Sequence, residues 1–221
     1  MPWRWPSNDS DFFFPQKRAV EKRVKSAAVG FRVHSGWAAL VALAAERGAP
    51  AILARERVHL VENFTYEFRQ PYHSALKLGL EKGRAFVSRS RSEARRLALR
   101  AIKGLQATLE TQGYKLTRTG VLLASGRPLT DFSRILASHA LIHTADGELF
   151  REALVYASER CALGTTTIKE REVLEAASRA LGMKPAALAR RVTELGKPLG
   201  APWSQDEKLA TAVAWLALIA K

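Results

Sequence analysis

The densest group of chemically competent side chains is His139, His143, Asp146 and Glu148. His139 and His143 are four residues apart, so on a helix they share one face, the spacing with which two imidazoles grip one metal ion. The residue after His139 is Ala140, so the glutamate of a zincin motif is missing. The plain structural alternative is that Asp146 caps a following helix and Glu148 favours its dipole, with the histidines partly buried or hydrogen-bonded. His34, Asp146, Glu148 and Asp206 are the candidate acid, base or metal groups of a catalytic site.

Arg32, His34 and Ser35 fall at the end of a predicted strand, and Arg127 follows Ser125 and Gly126 at the end of another. A guanidinium fork suits phosphate, and open α/β sheets bind ligands beyond their strand ends. Arg32 and Arg127 would then form an anion pocket with His34 as a proton donor. The alternative is that Arg32 pairs with a carboxylate such as Glu148 or Asp206. Ser204-Gln205-Asp206-Glu207 reads as a capping box: Ser204 caps the helix and Glu207 reaches back. Arg89, Arg96, Arg100 and Lys103 recur on one face of a predicted helix. They are the best nucleic-acid candidate, against the bland reading of a solvated face. Arg69-Gln70-Pro71-Tyr72-His73 mixes a cation with an aromatic, as single-strand binders do, although Tyr72 suits a core anchor. No Walker loop and no Gly-x-Ser-x-Gly elbow occurs.

The whole chain sets the frame for these residues. With 221 residues and 47% hydrophobic content it can bury a sizeable core. Its 35 Lys and Arg oppose 21 Asp and Glu, for a net charge of +14. A protein this basic attracts polyanions, and nucleic acid is the expected partner. The lone Cys161 rules out an internal disulfide and a cysteine-rich zinc site. The start shows no apolar signal region, and the apolar run Leu209 to Ala220 is too short to span a bilayer. The reading is a cytoplasmic protein with no membrane partner.

Residues 1–25 read as a flexible basic and aromatic tail, with Pro2, Pro6 and Pro15 breaking regular structure. A protein partner through this tail is a further expectation. Residues 26–221 form the predicted domain. Ala27 to Phe31, Trp37 to Ala44 and Ile52 to Val61 predict three strands with short turns, an antiparallel meander. Residues 63–83 read as irregular. Apolar residues at helical spacing from Ala94 to Leu109 predict a helix over 84–112, capped by Gly113. Residues 114–125 predict a fourth strand, whose unbroken Val121 to Ala124 suits burial on both faces. Thr130 and Asp131 open a helical region, Asp146 and Gly147 start another helix, and Thr165 to Lys169 predict a fifth strand. Helices over 170–181 and 185–195, a linker over 196–202 and a last helix over 209–220 complete the chain.

This order of elements resembles the ribonuclease H-like superfamily, in particular its Holliday-junction resolvase branch. Ala28-Val29-Gly30-Phe31 resembles the family's first strand, and Ser35-Gly36-Trp37 the turn into its second. Thr167-Ile168-Lys169 resembles the fifth strand, and Gln205-Asp206-Glu207 the approach to the last helix. The resemblance implies a five-stranded mixed sheet flanked by helices, and a chemistry in which carboxylates hold two divalent ions. Here the first-strand acid is replaced by Arg32. The fourth-strand acid falls at Ser125, Gly126 or Arg127. Asp206 matches one acid of the last helix, and the other falls at Leu209.

The expectation is a nucleic-acid or phosphate-ligand binding domain that lacks a standard two-metal nuclease site. The alternative is a metal-dependent phosphodiesterase with a rearranged site, and only that reading calls for Mg²⁺ or Mn²⁺.

Overall fold

The computed structural model describes residues 24–46, 48–124, 129 and 131–220. Three strands open the domain: β1 (Lys25–His34), β2 (Trp37–Glu46) and β3 (Ala49–His59). They pair antiparallel in succession. β4 (Tyr114–Leu123) then pairs parallel with β1, and β5 (Gly164–Lys169) parallel with β4. The sheet order is therefore β3-β2-β1-β4-β5. This five-stranded mixed sheet flanked by helices is the ribonuclease H-like arrangement that the resemblance implies. β1 begins at Lys25, the last residue assigned to the tail, and the rest of that tail up to Arg23 lies outside the described residues.

Residues 63–83 are not irregular as predicted. They hold α1 (Tyr66–Arg69), α2 (Pro71–Leu78) and the start of α3 (Leu80–Thr111). Pro71 occupies the first turn of α2, where its missing N–H costs nothing. α4 (Phe132–Leu136) is capped by the Asp131 carboxylate, which accepts from the Arg134 N–H at 3.0 Å. The predicted helix start at Asp146 is also corrected. α5 runs unbroken from His139 to Arg160, which puts Asp146 in mid-helix. A short 3₁₀ turn at Glu170–Glu172 leads into α6 (Val173–Ala180), followed by α7 (Pro185–Leu195) and α8 (Gln205–Ile219).

Period-two alternation sorts the strand residues between two faces. On one face Val29, Phe31, Leu40 and Val121 pack against the apolar stripes of α3 and α5, including Ala98, Ile102, Phe150 and Leu154. On the other, Leu43 and Leu122 pack beneath α6, α7 and α8. α8 is buried on nearly all sides, and small residues let it lie close to the sheet. Gly30 of β1 and Gly120 of β4 are register partners under this helix. A Cβ at Gly120 would come within 2.6 Å of the Val213 carbonyl, and one at Gly30 would run into the Ala210 carbonyl. The two glycines thus set how deeply α8 sits, and so where its first turn meets the end of β1.

Candidate nucleic-acid interface and its charged centre

Arg32 and His34 lie two apart on β1 and so point to the same face, the one that α8 covers. The Ser204 hydroxyl accepts from the Asp206 N–H at 3.1 Å, and Glu207 accepts from the Ser204 N–H at 2.8 Å. The predicted capping box is present, and it aims the Asp206 side chain at β1. Arg32 Nη1 donates to Asp206 Oδ1. His34 Nε2 lies 3.0 Å from the same oxygen. The remaining edge of the guanidinium is bidentate on Glu170, with Nε and Nη2 at 3.0 and 2.9 Å from its two oxygens.

This geometry decides between the two readings of Arg32. Its fork is filled by carboxylates rather than open to an anion. Arg127, its expected partner in the pocket, lies outside the described residues. The hydrogen bonds that Arg32 donates to Glu170 raise its pKa further, so its charge is fixed. At Asp206 burial pushes the pKa up, but the bonds from His34 and Arg32 outweigh it and hold the carboxyl below its usual range.

Of the four candidate catalytic residues, the structure brings His34 and Asp206 together. Glu148 pairs with Arg151 at 3.5 Å. Arg151 is largely buried and also feels the charge of Glu170, so Glu148 reaches the centre only at one remove. Asp146 is elsewhere. It is 2% exposed and accepts from the Tyr72 N–H at 2.7 Å, so it caps the start of α2 rather than a helix of its own. Sequence reasoning missed Glu170. The available signal was its position immediately after the predicted fifth strand.

Arg32 takes up the carboxylates that meet at the end of β1. Both Glu170 oxygens and one Asp206 oxygen are committed to Arg32. The guanidinium occupies the space between two carboxylates that a hard cation would need. At the end of β4 the chain offers Ser125, Gly126 and Arg127, none of them a carboxylate.

Beside this centre runs a column of rings and cations. His34 and Trp37, register partners across the β1–β2 turn, stack at 4.3 Å with planes 9° apart. The Arg57 guanidinium lies 3.9 Å over Trp37. It also lies 5.4 Å from the Phe64 ring, and Arg69 is 4.9 Å from that ring. Phe64 and Tyr66 are exposed, whereas Tyr72 is buried, as its reading as a core anchor requires. At the β3 edge, Glu56, Arg57, His59, Glu62 and Arg100 line one shallow hollow. The cationic face of α3 therefore abuts the column. Arg89, Arg96, Arg100 and Lys103 are all exposed. Arg96 pairs with Glu62. Among the described residues, no ion pair is made by Arg57, Arg89, Arg100 or Lys103.

No family model matches the chain, and no curated protein matches it. Similar solved structures include Thermus thermophilus RuvC in complex with a Holliday junction substrate. That match covers 86% of this chain and 91% of that one, at 11% identity and a TM-score of 0.44. A second Thermus thermophilus RuvC structure matches over 86% and 92%, at 12% identity and 0.45. The yeast mitochondrial Holliday junction resolvase Ydc2 matches over 88% and 78%, at 13% identity and 0.45. The fold assignment itself rests on the strand order and pairing described above. Among the described residues, no helix is long and apolar enough to cross a membrane.

Proposed function

We propose that this chain is a nucleic-acid-binding domain of ribonuclease H-like fold that binds phosphodiester backbone and does not cleave it. The single observation that carries this reading is the junction of Arg57 and Arg100 in one hollow at the β3 edge. It joins the α3 cations to the column running back to His34. Among the described residues Arg57 and Arg100 make no ion pair although Glu56 and Glu62 line the same hollow, so on a protein of net charge +14 their charge is available to a polyanion. The exposed Phe64 ring, beside Arg57 and Arg69, offers a contact for unpaired bases, which favours single-stranded or branched substrates over plain duplex.

The absence of cleavage follows from the charged centre. Arg32 supplies in fixed form the positive charge that ions would bring, and it consumes the carboxylates that would hold them. A guanidinium cannot deliver a metal-activated water. The rearranged phosphodiesterase would need Asp146 and Glu148 beside Asp206, and their partners lie elsewhere. A cytoplasmic location is in keeping with this reading.

The test is fluorescence anisotropy with single-stranded, duplex and four-way-junction DNA, run beside a strand-cleavage assay in Mg²⁺ and in Mn²⁺. The expected result is binding that weakens steeply with salt, strongest for substrates with unpaired or branched segments, and no cleavage in either ion. Cleavage abolished by Asp206→Asn would overturn the binding-only reading.

A further inference from the structure

His73, His139 and His143 come together on the far side of Asp146. One nitrogen from each lies within 4.8 Å of the other two. His139 and His143 share a face at the start of α5, and His73 stands in the first turn of α2. We propose that these three imidazoles form a binding site for a first-row divalent transition ion of the Zn²⁺ class, clipping α2 to α5. The site is separate from the Arg32 centre and does not depend on the nucleic-acid reading.

The second observation is Asp146. Its carboxylate is 2% exposed and lies 2.5 Å from His73 Nδ1. A carboxylate acceptor holds the proton on Nδ1 and leaves the Nε2 lone pair free to face outward. This carboxylate–histidine pairing orients and strengthens histidine ligands in metal sites. The Tyr72 N–H holds the other Asp146 oxygen at 2.7 Å, so the orienting group is itself fixed. Besides capping α2, this buried carboxylate holds one ring of the three-ring cluster in place.

The three rings pack edge to face. His73 and His143 have centroids 4.5 Å apart, and His139 and His143 4.4 Å apart. Tetrahedral Zn²⁺ with Zn–N bonds of ~2.0–2.1 Å needs nitrogens roughly 3.3 Å apart. The triangle, within 4.8 Å on each side, must close by up to about 1.5 Å. His139 and His143 are exposed and free to rotate that far, whereas His73 is held. Three neutral nitrogen donors favour Zn²⁺, Ni²⁺ or Cu²⁺ over Mg²⁺, which demands oxygen.

The experiment is titration of the chelator-treated full chain with ZnCl₂ by calorimetry, with Co²⁺ absorption as the spectroscopic readout. The expected result is one ion per chain and the visible bands of four-coordinate Co²⁺. His139→Ala and His143→Ala, both at exposed positions that should not disturb folding, should each weaken binding at least ~10-fold. Asp146→Asn should weaken it by about 10–100-fold while keeping the same stoichiometry. No saturable binding, or wild-type affinity in both histidine variants, would overturn the site. Wild-type affinity in Asp146→Asn would remove the positioning role of that carboxylate.

Discussion

Arg32 lays Nε and Nη2 on the two oxygens of Glu170, at 3.0 and 2.9 Å, across 138 residues of chain. With Asp206 on its remaining nitrogen, the guanidinium is a permanent cation wedged between two acids. Replacing it with an acid inverts the local charge. Arg32→Asp leaves three carboxylates facing one another, so its Tm without divalent ions falls below that of the wild type. Mg²⁺ should raise the Tm of this variant by mass action and leave the wild type unmoved. Thermal denaturation with and without Mg²⁺ reads both. An equal Mg²⁺ response in the wild type would show that the ion has a site beside the arginine.

Gly30 is the point at which the sheet admits α8. An added Cβ would meet the Ala210 carbonyl and would stand 2.7 Å from Ala214 N. These are backbone atoms of a buried helix, so no side chain can swing aside. Gly30→Ala is expected to cost about 1–3 kcal/mol in chemical denaturation, the range of overpacked cores. Because α8 carries Asp206, the same variant should also loosen the Arg32 contact.

Asp206 gives the acid limb of stability a recognisable component. Its folded carboxyl lies below the ordinary value of about 3.9. A depressed carboxyl contributes stability that is fully present above its unfolded pKa and is lost as pH falls through the folded value. Asp206→Asn removes that contribution. The variant should be less stable than the wild type at neutral pH, and the gap should narrow as pH drops from about 5 towards 2. Urea midpoints across that range test it. A gap that stays constant would mean that the carboxylate charge is not what Arg32 and His34 stabilise.

The strands were legible because alternation and turn residues are local signals, and His34-Ser35-Gly36 marked the first hairpin, with Gly36 in the left-handed region. The capping box at Ser204 was legible for the same reason. Asp146-Gly147 misled. An Asp-Gly pair looks like a break, yet α5 absorbs Gly147, where the Arg151 guanidinium packs within 2.8 Å of a notional Cβ. α2 was missed although Pro71 opens it, because the aromatics around it mimic an irregular stretch. His73 was therefore not joined to His139 and His143. Glu170 could not be matched to Arg32 from spacing, since their meeting depends on the parallel pairing of β1, β4 and β5. The stacking of Arg57 on Trp37 likewise exists only once β2 and β3 are in register.

The central claim is that the β3 edge and α3 hold a phosphodiester backbone by charge. The most direct measurement is the salt dependence of single-stranded DNA binding by the wild type and by the Arg57→Ala, Arg100→Ala double variant. Neither position pairs with a carboxylate among the described residues, so the variant should fold. Each lost phosphate contact should reduce the slope of log K against log salt by about 0.7, giving a drop of roughly 1.4 for the pair. An unchanged slope and affinity in the double variant would contradict the account.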